Sequence, residues 1–178
     1  PGSVSDEPIC HVDFLPTACA ITGLQAPKDR TIDGASWLPV LDGEKVERKT
    51  PLYWHFNRAT SEPKVAMIED SWKILATLDR APAPRGNDIT DEGERDFKEA
   101  KLKDFMLYNL RNDIAEKNDL AASETSKLDE LKRLLEAKYA EVQAESPMWP
   151  AWKFTGAEGK RIEWPDYAGG ALPETVAL

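Results

Sequence analysis

Val65-Ala66-Met67-Ile68-Glu69-Asp70-Ser71-Trp72-Lys73-Ile74-Leu75-Ala76-Thr77-Leu78 is two apolar runs joined by a short polar link. Runs of that length and composition around a tight polar connection predict a β-hairpin. Upstream, Leu52-Tyr53-Trp54-His55-Phe56-Asn57 has the composition of a strand. At period two, Leu52, Trp54 and Phe56 share one face, the expected core face, while Tyr53, His55 and Asn57 share the face open to solvent or ligand. Downstream, Phe105 to Leu110 is another apolar run and the expected fourth strand. Several antiparallel strands with one apolar face suffice for a small sheet.

The sheet needs a cover. Leu128, Leu131, Leu135, Lys138 and Val142 recur at helical spacing, with Leu134 and Tyr139 widening the stripe. Ser123 or Ser126 would cap this helix and Ser146-Pro147 would stop it. Four or five such side chains, each contributing ~1.5–3 kcal/mol when buried, would dock it on the sheet. The expected fold class is therefore α+β, a small antiparallel sheet of about four strands packed by a long C-terminal helix. Arg80 to Asp88 is a Pro-rich polar loop. Thr90 to Lys103 is so charged that a helix there exposes most of its surface, with Phe97 and Leu102 as its few anchors. Glu92, Glu94, Arg95, Asp96, Lys98 and Glu99 make a solvated face.

At the other end, Ile9 to Val12 leads into Asp13, which reads as a helix N-cap whose carboxylate accepts from the first turn. Pro16 fits that first turn and Gly23 is placed to end the helix. Leu15, Cys19 and Ile21 or Thr22 would turn inward. Gly34 to Leu41 is a short helix or turn carrying Trp37, Leu38 and Leu41. From Met148 to Leu178 the chain is aromatic and irregular. Trp149, Trp152 and Trp164 there read as anchors of the tail in preference to sugar-stacking platforms.

Composition bounds the function. A chain of 178 residues with 41% hydrophobic and 31% charged residues has the make-up of a globular domain with one core. A net charge of −9 argues against nucleic acid, which needs clustered Lys and Arg. No run of ~18 apolar residues is present to span a membrane. Cys10 and Cys19 match no metal spacing, and a helix carrying Cys19 away from Cys10 would keep their Cα atoms beyond the ~7 Å a disulfide allows. Both are expected to be free thiols. His11 and Asp13, two residues apart, could hold a metal, but a capping Asp beside a packed His explains them more simply.

An ordered set of short motifs carries a family resemblance. It runs through Asp13-Phe14-Leu15-Pro16-Thr17, Gly23, and Asp33-Gly34-Ala35-Ser36-Trp37-Leu38-Pro39-Val40-Leu41-Asp42-Gly43. It continues with Pro51-Leu52-Tyr53-Trp54, Trp72-Lys73, Leu107-Tyr108-Asn109-Leu110, Asp113, Glu116 and Asp119-Leu120-Ala121. In this order, over residues 1 to about 152, the chain resembles the C-terminal portion of formylglycine-dependent sulfatases of the bacterial arylsulfatase and N-acetylgalactosamine-6-sulfatase type. Two places depart from the pattern. Ile68 stands where the family often has Arg, and Asp70 where the turn often has Gly.

The resemblance implies an alkaline-phosphatase-like α/β catalytic domain, of which residues 1–45 would be a helical remnant at the edge. Residues 46–147 would form the C-terminal subdomain and 148–178 the aromatic tail. It also implies a formylglycine made from a Cys/Ser-x-Pro/Ala-x-Arg motif, and calcium held by an Asp-Asp pair and an Asp-Asn. None of these frames occurs in this chain, so no catalytic or metal residue is assigned and the chain alone is expected to be inactive. The missing partner would be an N-terminal catalytic portion lying upstream of Pro1. The substrate implied for the intact enzyme is a sulfated carbohydrate or aryl sulfate, and the location implied is periplasmic or secreted. His55, Asn57, Arg58 and Lys64 are the candidate substrate-binding residues, because local cations in an acidic chain suit a sulfated ligand. If the N-terminal strip normally packs on a larger domain, the Asp13 helix and the Trp37 segment should expose apolar side chains. The alternative from another class is a non-catalytic carbohydrate-binding or interaction module.

Overall fold

The computed structural model describes residues 2–56, 62–80 and 89–152. Among them, strands β1 (Leu52–Phe56), β2 (Lys64–Glu69), β3 (Trp72–Leu78) and β4 (Leu102–Asn109) form one antiparallel sheet in sequence order. Helices α1 (Phe14–Thr22), α2 (Asp91–Glu99) and α3 (Thr125–Glu145) join it, with short 3-10 helices at His11–Asp13 and Leu38–Asp42, and α3 packs on β2, β3 and β4.

The β2–β3 hairpin closes on the pair Glu69 and Trp72. Asp70 in its turn has φ 52°, a left-handed conformation that glycine adopts without strain and that Asp tolerates better than most residues. Across the sheet Tyr53 faces Met67, Met67 faces Ile74, and Ile74 faces Leu107, so these four share one side. On that side α3 lays Leu131, Leu135 and Tyr139 over Val65, Met67, Ile74, Ala76 and Leu107 to make the core.

Three expectations change at the level of single elements. The helix-covered face of β1 is that of Tyr53 and His55, not that of Trp54 and Phe56; Leu52 is buried, but Phe56 is exposed. Amphipathic rings at alternate positions pack under a helix as well as aliphatic ones do, so alternation alone did not name the inner face. Strand β4 begins at Leu102 instead of Phe105, because a register shift opposite Leu75 to Thr77 accommodates Asp104 at φ 49°. Thr77 Oγ1 donates to Asp104 Oδ2 at 3.0 Å across this irregularity. Helix α3 starts after Glu124 with no side-chain cap, so neither Ser123 nor Ser126 serves, and Leu134 points outward.

The N-terminal strip is organised by one carboxylate. Asp13 is fully buried. Its Oδ1 accepts from Arg48 Nη1 at 2.6 Å and from Ala35 N–H at 2.9 Å. Its Oδ2 accepts from Arg48 Nη2 and from Cys10 N–H, both at 2.8 Å. The side chain thus reaches back to Cys10 and across to residues 35 and 48, and makes no cap bond to α1. Burial raises the Asp13 pKa, but Arg48 and the Ala35 and Cys10 N–H groups outweigh it and hold the carboxyl below its usual value. The folded value lies under the unfolded ~3.9, so this stabilisation is complete above that pH and is lost as pH falls through the folded value. Thr17 Oγ1 donates to Asp13 O and accepts from Trp37 N–H, extending the network along α1.

Two further contacts fix the strip. Lys138 of α3 is buried and its Nζ donates to Asp33 Oδ1 at 2.6 Å and Glu141 Oε1 at 3.0 Å, tying residues 33–35 to the helix. Gly34 lies directly against Val12, where an added Cβ would sit 1.9 Å from the Val12 carbonyl oxygen. Gly23, as expected, ends α1 at φ 71°. Because relieving the Gly34 clash requires backbone movement, Gly34→Ala is expected to cost about 3 kcal/mol, the upper end for overpacking, read as a lowered urea midpoint at unchanged slope.

Candidate functional site

The candidate group at the end of β1 divides in the structure. His55 pairs with Val65, on the face covered by α3, whereas Lys64 pairs with Phe56 and Thr77 on the opposite face. Asn57 and Arg58 lie outside the described residues. His55 and Lys64 therefore do not converge on one patch.

His55 is enclosed by aromatic rings from three elements. Its imidazole stacks on Phe97 of α2 with centroids 5.1 Å apart, tilts against Tyr139 of α3 at 5.7 Å, and meets Tyr53 edge-on at 6.4 Å. Its Nε2 and the Tyr53 hydroxyl are both buried without a hydrogen-bond partner among the described residues. Burial, reinforced by the nearby Arg80 charge, pushes the imidazole down from 6.5 to about 4. Burial likewise raises Tyr53 and Tyr139. Tyr139 Oη donates to Ala100 O at 2.8 Å and accepts from Gln143 Nε2 at 2.7 Å. Phe97 is the expected anchor of its charged segment and Tyr139 belongs to the expected helical stripe. Phe97 and Tyr139 are distant from His55 in sequence, and nothing local signals that their rings would meet it.

A second feature lies on the strip. Ile9, Cys10, His11, Phe14 and Trp37 line an open hollow of about 190 Å³, with the His11 ring 6.1 Å from that of Phe14. Around it α1 is turned inside out. Its only buried residue is Thr17, while Phe14, Leu15 and Ile21 are exposed, as are Ile9, Val12, Leu24 and Leu41. Leu15 and Ile21 thus do not enter this chain's own core, and the exposure expected of a strip that packs on something larger is present on α1, with Trp37 half-buried.

The remaining chemical candidates resolve simply. The Asp13 carboxylate is consumed by Arg48, Ala35 and Cys10, and His11 is exposed beside it. Cys10 and Cys19 are free thiols. Among the described residues no group of three or more His, Cys, Asp or Glu could hold a metal ion, and no helix is long and apolar enough to cross a membrane. Trp149 N–H donates to Glu94, and Trp152 exchanges two backbone hydrogen bonds with Ile89, so the segment is pinned to the start of α2 through its main chain. Trp149 as a residue stays 62% exposed, and Trp164 lies outside the described residues.

Comparison with known proteins follows the same outline. No protein-family model matches the chain. It is 29% identical over 136 residues to an ulvan-active sulfatase of Formosa agariphila, a match covering 69% of this chain and 26% of that protein. It is 24% identical over 142 residues to N-acetylgalactosamine-6-sulfatase of Sus scrofa, covering 75% of this chain and 26% of the relative. The crystal structure of Ps i-CgsB shares the fold at a TM-score of 0.54 and 21% identity, covering 86% of this chain and 28% of that one. The chain is similar to sulfatases over about 70% of its own length. It spans about a quarter of the length of the curated relatives it matches.

The enclosed imidazole gives a direct expectation. Because its folded value of about 4 lies below an unfolded ~6.5, the stability it supports is whole above pH ~6.5 and declines as pH falls toward 4. NMR titration of the His55 ring protons should show a midpoint near 4, and His55→Phe should flatten the stability profile across that interval.

Proposed function

We propose that this chain is the scaffold portion of a sulfatase, and that the intact enzyme hydrolyses sulfate esters of sulfated sugars. The observation that carries the reading is the ordered similarity over 69% of this chain to only a quarter of a sulfatase. The names of the relatives, one ulvan-active and one acting on N-acetylgalactosamine 6-sulfate, favour a sulfated carbohydrate over a simple aryl sulfate. In this reading residues 1–45 edge the catalytic α/β domain, 46–147 form the subdomain, and 148–178 are a tail. The apolar side of α1 and the hollow beside it are then where the catalytic portion seats.

The family's calcium and formylglycine do not fit the residues of this chain. The described side chains offer no metal cluster, and the sequence holds neither the Cys/Ser-x-Pro/Ala-x-Arg frame nor an Asp-Asp pair. The chemistry of sulfate cleavage is thus assigned to the catalytic portion, and this chain by itself is inactive. Its contribution to binding is a wall at the end of β1. Lys64, with Asn57 and Arg58, would supply the polar and cationic groups a sulfate needs, and His55, its Nε2 enclosed, would support that wall from below.

In the intact enzyme, Arg58→Ala and Lys64→Ala should each raise KM for a sulfated oligosaccharide about tenfold, ~1.4 kcal/mol of binding, with kcat nearly unchanged. Unchanged KM in both variants would remove the wall from the proposal. Sulfate release by the 178-residue chain alone would overturn the scaffold reading. A second reading, a carbohydrate-binding or interaction module, draws on the exposed Trp149. Glycan binding by this chain that Trp149→Ala abolishes would favour it.

A further inference from the structure

Helix α2 is held to the domain in an unusual way. None of its nine residues is buried, and its first turn carries Asp91, Glu92 and Glu94. Its apolar contact with the sheet is the Phe97 ring, which lies on the His55 imidazole with the Arg80 guanidinium 5.9 Å from its centroid. Around this stack, polar anchors run to α3. Gln143 Nε2 donates to Phe97 O at 2.8 Å, and Lys98 Nζ donates to the Gln143 and Ser146 carbonyls that end α3.

The stack is built for a neutral imidazole. The groups facing His55 are Tyr53 on its own strand, Arg80 after β3, Tyr139 on α3, and Phe97 on α2, where Asp96 is exposed and Lys98 is engaged at the end of α3. Asp79 acts on Tyr139. The His55 Nε2, the Arg80 Nε and the Gln143 Oε1 are all buried without a hydrogen-bond partner among the described residues. A proton placed on His55 thus creates a buried cation that meets another cation and, among the described residues, no paired carboxylate.

We propose that α2 is an acid-released flap, latched to the sheet by the Phe97–His55 stack and freed when His55 takes a proton. Release would carry residues 148–152 with it, because Trp149 and Trp152 are pinned at the start of α2. It would uncover the helix side of β1 while the strip, held by the Asp13–Arg48 pair, stays in place. The proposal rests on the ring geometry and stands whether or not the intact enzyme is a sulfatase.

Amide NMR of the full chain through an acid titration tests it. The expected result is that Asp91 to Glu99 signals move toward random-coil positions with the same midpoint as the His55 ring protons, while β2, β3 and α3 signals keep their dispersion. His55→Phe, which keeps the ring and removes the proton site, should hold α2 in place through that interval. Phe97→Ala should free α2 already at neutral pH. Should His55→Phe fail to fold, the coincidence of midpoints in the natural sequence decides. Static α2 signals through the His55 titration would overturn the flap, and so would simultaneous loss of the whole domain, or α2 release in His55→Phe at the same pH.

Discussion

The buried pair of Asp13 and Arg48 is the constraint on which the N-terminal third of this protein depends. A fully enclosed carboxylate is tolerable only when its lone pairs are filled, and here the Arg48 fork and two backbone N–H groups fill them. Those four bonds gather residues 10, 35 and 48, which the chain separates by up to 38 positions, around the start of α1. Gly34 and Thr17 are consequences of that closure. The first must lack a side chain because the strip lies against Val12, and the second relays the network from the Asp13 carbonyl to Trp37.

Closing the strip through a polar hub leaves its apolar residues with nowhere inward to go. Thr17 takes the inner side of α1, and Phe14, Leu15 and Ile21 face out. The second half of the chain behaves in the ordinary way, with α3 burying Leu131 and Leu135 on the sheet. Lys138 joins the two halves through Asp33. An exposed apolar face beside a packed sheet-and-helix core is what the proposed scaffold role calls for, in a chain that spans about a quarter of the sulfatases it resembles.

Much of this was legible in the sequence, and the misses have physical causes. The hairpin from Val65 to Leu78, the Leu128 to Val142 stripe and the Gly23 stop follow from local chemistry, so period and turn residues sufficed. The inner face of β1 was not legible, because Tyr53 and His55 look polar by type and bury their rings against partners some 40 and 80 residues away. The bulge at Asp104 broke the alternation of β4 and hid its first three residues. The role of Asp13 was read as a local cap, since nothing near it in sequence announces Arg48. Of the candidate wall, the residue types were visible but not the fact that His55 and Lys64 take opposite faces.

The direct measurement is a double-mutant cycle on the buried pair, with Asp13→Asn, Arg48→Met and both together followed by urea unfolding. If the pair organises the strip, each single variant loses about 3–5 kcal/mol and the double variant loses little more than either, giving a coupling of about 3 kcal/mol or more. Losses that simply add, or an Arg48→Met variant as stable as the natural protein, would contradict the account.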